Sequence, residues 1–180
     1  MRLTPNKPAP LLRAPDISGG IVDLAEMRGR PVLLSFYRYA SCPVCNLRVH
    51  RLIDAYPRLS AAGLSVLGVF QSSAEEMTRY MDRHQAPFPL VPDPQLQLYR
   101  RFGVETRWGA LLSLAVIRSA VTAFTKGFLP GRISGPVHRA PADFLIAPDG
   151  RIALSYYGRT IDDHVPIAAV ESWLQGARAT

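Results

Sequence analysis

The stretch Pro31-Val32-Leu33-Leu34-Ser35-Phe36-Tyr37-Arg38-Tyr39-Ala40-Ser41-Cys42-Pro43-Val44-Cys45 decides how this chain is read. From Val32 to Tyr37 it is a short apolar run, which predicts a buried strand of a parallel sheet. Two cysteines follow at once, three positions apart. Beyond them Leu47, Leu52, Ile53 and Tyr56 recur at helical spacing up to Pro57. The cysteine pair therefore sits where a strand ends and a helix begins. Unpaired N–H groups and the positive end of the helix dipole meet at that place, so a thiolate there is stabilised. The spacing brings the two sulfurs within disulfide reach. Pro43 suits a first helical turn, where no N–H is needed.

This pattern predicts a redox dithiol. Two alternatives remain beside it. Zinc usually takes four ligands, and only His50 stands near this single pair, so no metal is expected. Two structural cysteines without chemistry are the other alternative. No cofactor is expected.

Outward from the motif, Leu64–Phe70 reads as a second buried strand after the stop at Gly63. Ser73-Ala74-Glu75-Glu76 is a capping box, opening a helix through Met77, Tyr80 and Met81 to about Gln85. Ala86–Pro94 reads as a proline-rich loop, and Gln95–Phe102 as a short helix ended by Gly103. Asp143–Ala147 and Ile152–Tyr156 flank the turn Pro148-Asp149-Gly150 and read as a hairpin. Ile167–Leu174 forms a last helix. Towards the N-terminus, Pro5–Pro15 reads as an extended arm and Ile17–Leu24 as a small hairpin turning at Gly19-Gly20. The order β-α-β-α, then a β-hairpin, then α, implies an α/β fold with a mixed sheet flanked by helices on both faces. We expect an arm over 1–14 and one domain over 15–180, with an inserted helical segment over 107–135. In that insert Ala110, Leu114, Ile117, Val121, Phe124 and Phe128 form one apolar stripe. It is expected to dock on the domain's own core, to serve a partner, including a second copy of the chain, or to cover the active site.

The chain has 180 residues, 48% of them hydrophobic, which suits one core-bearing domain. The net charge is +7. Its arginines are scattered, with Arg100-Arg101 the longest run, and no basic stripe is interleaved with aromatics, so nucleic-acid binding is not expected. Trp108–Phe124 is apolar apart from Arg118, too short and too polar at its centre for a membrane span. Met1–Ile17 lacks the apolar core of a signal peptide, so a cytoplasmic, reducing setting is expected.

With the motif in place, a resemblance becomes specific. Residues 31–45 resemble the active-site strand and helix of thioredoxin-like proteins. Leu67-Gly68-Val69-Phe70, Phe88-Pro89-Leu90-Val91-Pro92-Asp93, Leu98-Tyr99-Arg100-Arg101-Phe102-Gly103-Val104 and Pro141–Gly150 are similar to the peroxiredoxin branch, the alkyl hydroperoxide reductase/thiol-specific antioxidant group. The resemblance covers residues 10–178 apart from the insert. It implies a thioredoxin-like fold, a hydroperoxide or disulfide substrate, and restoration by an external dithiol, thioredoxin-like or glutathione-type. The chain departs from the peroxiredoxin pattern, Pro-x-x-x-Thr-x-x-Cys. Cys45 matches the peroxidatic cysteine, Cys42 stands at the Thr position, Arg38 at the Pro position, and Pro141 at that of a peroxide-orienting Arg. Read instead as a thioredoxin motif, Cys42 attacks, Cys45 resolves and Pro141 takes the place of a cis-proline facing the sulfurs. Phe36 then stands where that motif has a buried proton-accepting Asp, and Ser41 where it has Trp. Arg38, Arg48 and Arg139 are candidates for stabilising a thiolate. Either order of attack is compatible with these matches. A binding module that uses the inserted helix, without catalysis, is the other reading of the same fold.

Overall fold

The computed structural model describes residues 2–81, 84–106, 114–131, 133, 135–136 and 138–178. A five-stranded sheet forms the centre, in the order β5-β4-β3-β6-β7. β3 (Val32–Phe36), β4 (Ser65–Phe70) and β5 (Leu90–Pro92) run parallel to one another, while β6 (Ala142–Ile146) and β7 (Ile152–Tyr157) add an antiparallel pair. This is the mixed sheet expected from the element order. β5 was not expected, because Ala86–Pro94 reads as a loop. The strand is only three residues long and lies at the sheet edge, where Pro92 need not donate to a neighbour.

Strand alternation divides the core into two layers. Leu33 of β3 and Tyr37 just after it join Cys42 at the N-cap, Cys45 and Leu52 of α1 (Pro43–Ala61), Met77 of α2 (Ala74–Met81) and Val170 of α5 (Ile167–Arg178) on one face. Val32, Leu34 and Phe36 join Tyr99 of α3 (Gln97–Arg101), Phe102 and Phe144 on the other. There Phe36 meets the Tyr99, Phe102 and Phe144 rings at centroid distances of 5.0, 5.2 and 5.8 Å.

Three differences from the sequence reading have physical causes. α1 continues through Pro57 to Ala61. Proline there forfeits one intrahelical bond, but Leu59 is buried beyond it and Gly63, at φ 81°, closes the helix. Its N–H donates to Ser60 O, and that of Leu64 donates to Leu59 O. The N-terminal hairpin begins earlier than expected, with β1 (Arg13–Pro15) paired to β2 (Ile21–Asp23). The Asp16 carboxylate shapes its turn by accepting from Ser18 N and Gly20 N. The third concerns the insert. Its described helix, α4 (Leu114–Thr125), packs against α1 with Val116, Ala120 and Ala123, not with the expected stripe. Ile117, Val121 and Phe124 are 60, 57 and 48% exposed. Small side chains on the docked face let two helices approach closely, which a Phe or Ile there would prevent. Phe128 turns inward as expected, its ring packed against His50 and His84. Ala110 lies outside the described residues.

Gly158 follows β7 at a tight crossing. A Cβ there would lie 2.3 Å from Asp163 O and 3.1 Å from Pro141 O. Because both obstacles include backbone, Gly158→Ala is expected to cost about 1–3 kcal/mol, read as a lower midpoint in thermal unfolding.

Candidate active site

The site is built where β3 delivers the chain to α1. After Phe36 the backbone stays tied to β4: Tyr37 N donates to Val69 O and Gln71 N to Arg38 O. Ser72 at the end of β4 fixes the next turn, its hydroxyl accepting from Ala40 N at 2.9 Å. Asn46 clamps the turn from the helix side. Its amide donates to Ala40 O at 2.6 Å and to Cys42 O at 2.8 Å, and its carbonyl is held by His84 Nε2 at 2.6 Å. Both Asn46 and His84 were missed from the sequence, because a side chain that clamps backbone has no motif.

Cys42 is the N-cap of α1, and Pro43 opens the helix. The Cys42 sulfur accepts from Cys45 N at 3.4 Å, so the sulfur performs the capping role usual for a Ser or Asp oxygen. Arg38 Nη2 donates to the same sulfur at 2.9 Å. Arg38 is itself buried, and its guanidinium lies 5.1 Å from the centre of the Tyr39 ring. Burial opposes ionisation of Cys42. The Cys45 thiol as donor, the Arg38 charge and the Cys45 N–H outweigh it and bring the Cys42 thiol down to about 6. Cys45 moves the other way. Burial, donation to Cys42 and the adjacent negative charge raise it well above the ordinary thiol range. The two thiols are thus strongly unequal.

Neither sulfur is at the surface. Cys42 is 0% and Cys45 2% exposed. Arg38, Tyr39, Ala40 and Ser41 are buried with it. Arg139 is not part of the thiol site. It donates to Gln71 Oε1 at 2.9 Å and Val104 O at 2.7 Å, and lies over the Tyr99 ring. Arg48 lies on α1 and donates to Val165 O at 2.8 Å, not to either sulfur. Pro141 does not take the thioredoxin-like conformation expected for it. The described residues contain no cis peptide bond, trans being the ordinary state of X-Pro, and its ring packs towards Gly158. Phe36 faces the layer away from α1. The carboxylate beneath α1 comes instead from Asp143, opposite Ser35 in the sheet register.

No group of three His, Cys, Asp or Glu side chains among the described residues could hold a metal ion. No described helix is long and apolar enough to cross a membrane.

A thioredoxin-like sheet with unequal paired thiols at the start of its first long helix defines a thiol-dependent oxidoreductase. Comparison with known proteins narrows this. Residues 5–155 match the model of the AhpC/TSA family, and the chain belongs to that family. Peroxiredoxin Bcp of Escherichia coli is 29% identical over 167 residues, 93% of this chain and 92% of that protein. Among solved structures, peroxidoxin BcpB from Mycobacterium tuberculosis superposes with a TM-score of 0.69 at 18% identity, covering 99% of this chain and 98% of that one. A chain assigned as a thiol:disulfide interchange protein DsbE from Chlorobium tepidum gives 0.66 at 20% identity, over 97% and 98%.

Replacing Arg38 by Met removes the cation and one donor from the Cys42 sulfur. The Cys42 ionisation midpoint is expected to rise by at least about one pH unit, since a charged hydrogen bond is worth roughly 1.5–3 kcal/mol. The pH dependence of alkylation by iodoacetamide reads it.

Proposed function

We propose that this protein reduces hydroperoxides, with Cys42 as the attacking thiolate and Cys45 as the resolving thiol. The observation that carries the reading is the Arg38–Cys42 contact at 2.9 Å, which holds the first thiol ionised at neutral pH. Cys45 stands at the position of the family's peroxidatic cysteine, yet its raised thiol suits the second step. The Cys42 thiolate attacks one peroxide oxygen, the O–O bond breaks, and the alkoxide leaves and takes a proton as alcohol. Cys42 is then a sulfenic acid. Cys45 attacks its sulfur, a disulfide forms, and hydroxide leaves and is protonated to water. An external dithiol of thioredoxin-like or glutathione type restores both thiols.

Burial favours a small substrate. A hydroperoxide needs a narrow opening to reach Cys42, whereas a protein disulfide must bring a backbone against it. Reduction of disulfides by the same pair is the second reading, favoured by a thiolate at a helix start next to a partner thiol. A cytoplasmic setting fits two cysteines that are both free thiols and a cycle that depends on an external reductant. Supporting roles go to Arg38 as the thiolate's cation, Pro43 as the helix opener, and Ser41 and Pro141 as walls of the site; Arg139 supports Tyr99 and Gln71 from a distance. The exposed stripe Ile117, Val121 and Phe124, with Leu129 and Ile133 also exposed, is offered as a homodimer face. Light scattering is expected to show a dimer at tens of micromolar that Val121→Glu turns into monomer; a wild-type monomer removes the assignment.

Stopped-flow mixing with hydroperoxide tests the main reading. Wild type is expected to react faster at pH 7 than a free thiol by a factor of at least about a hundred, with the rate rising from pH 5 and levelling above the Cys42 midpoint of about 6. Cys42→Ser should abolish the reaction. Cys45→Ser should keep one turnover and accumulate sulfenic acid on Cys42. A rate equal to that of a free thiol removes peroxide reduction, and sulfenic acid on Cys45 in Cys42→Ser reverses the two roles.

A further inference from the structure

The cycle just described leaves one proton without an acceptor. Cys45 must lose its proton to attack the sulfenic sulfur, yet its surroundings hold that proton firmly. Once Cys42 is oxidised, its thiolate no longer competes for that proton.

Beneath the first turns of α1 lies a set of buried polar groups that the cycle does not use. Asp143 is fully buried. His164 Nδ1 lies 3.1 Å and 3.0 Å from its two carboxylate oxygens, and Val165 N donates to it at 2.7 Å. The His164 side chain is 4% exposed. A carboxylate bonded to Nδ1 fixes the imidazole tautomer and leaves Nε2 as the acceptor nitrogen. On one side, the His164 ring packs 5.2 Å from the Tyr37 ring, whose hydroxyl is buried. On another, His164 lines a cleft of about 300 Å³ together with Val44, Leu47 and Arg48. Val44 is the residue between the motif's proline and Cys45. The cleft therefore reaches the residue before Cys45, and the Tyr37 side chain lies close enough to both Asp143 and Cys45 to sense their charges.

We propose that His164, oriented by Asp143, is the proton acceptor for Cys45 in the resolving step. This rests on the reading of Cys45 as the resolving thiol. The proton leaves the Cys45 sulfur and is taken up by His164 as the S–S bond forms. Hydroxide leaving Cys42 takes a proton from bulk water, and His164 returns its own to solvent through the cleft. Asp143 stays ionised throughout. Burial opposes this, but the charge His164 carries once it holds the proton, the His164 hydrogen bond and the Arg48 charge outweigh it and hold its carboxyl below the ordinary range. The charged and titratable groups around the imidazole are Asp143 from β6, Tyr37 from β3, Arg48 and Arg51 from α1, and Asp162 from its own loop. Ser119 of α4 holds Asp162 from across the cleft at 2.7 Å.

The test separates the two chemical steps. Peroxide consumption in the first turnover reports attack by Cys42. Quenched samples, with sulfenic acid trapped by dimedone and masses read, report its conversion to the 42–45 disulfide. His164→Gln is expected to slow that conversion at least about tenfold while leaving the first step within about twofold, and Asp143→Asn to slow it to a smaller degree. The pH profile of conversion in wild type should differ in shape from that of His164→Gln, because the variant lacks the acceptor. Cys42 is a sulfenic acid during this step, so its own ionisation does not enter. Equal loss in both steps marks a structural role and overturns the proposal, as does unchanged conversion. If neither variant folds, a wild-type conversion rate that does not change with pH overturns it. Sulfenic acid trapped on Cys45 instead of Cys42 would mean that the underlying order of attack has failed, which is a separate result.

Discussion

The guanidinium of Arg38 against the sulfur of Cys42 is the contact on which the site depends. Both groups are buried, so neither charge is offset by water. Ionising a buried thiol is unfavourable unless cation and donors stand ready, and a buried arginine is unfavourable without an anion. Each stabilises the other: the thiolate raises the arginine's proton affinity, while the arginine lowers that of the thiol. The charge settles on Cys42, not Cys45, because the helix-start N–H of Cys45 and the Cys45 thiol both point to the Cys42 sulfur. One proton shared unequally between neighbouring sulfurs sets the order of the chemistry.

That contact requires rigid ends. Arg38 leaves β3 tied to β4 through Gln71 N, and Cys42 is tied to α1 through Asn46. Tyr99 adds a brace from the opposite layer, its hydroxyl bonded to Tyr37 O and Val69 O at 2.7 and 3.1 Å. The aromatic packing of Phe36, Tyr99, Phe102 and Phe144 on the far face thus reaches the thiols through the strand they share. The inserted α4 joins the same frame, with Phe128 between the two histidines and His84 holding Asn46.

Much of this was legible in the residues. The buried strand, the two cysteines and Pro43 together placed a redox pair at a helix start, and the Gly63 and Gly103 stops and the Pro148–Gly150 turn marked element ends. What was not legible depended on tertiary packing. Arg38 and Arg139 looked alike in sequence, and only the turn after β3 separates the one that meets sulfur from the one that meets Gln71 and Val104. The apolar periodicity of the insert was real, but helix contact with α1 selected the small-residue face instead. Asp143 and His164 are 21 positions apart, with a hairpin between them, and no local pattern joins them. Burial of the thiols came from side chains folded over the helix start, which helix position alone does not specify.

The account's central claim is that one of two adjacent buried thiols is ionised at neutral pH while its neighbour holds its proton. Thiolate ultraviolet absorbance of the reduced protein, followed against pH and compared with Cys42→Ser, tests it directly. The account predicts one thiolate forming with a midpoint of about 6, lost in the variant, and a second forming only far above the ordinary thiol range. Two thiols titrating together in the ordinary range would contradict it.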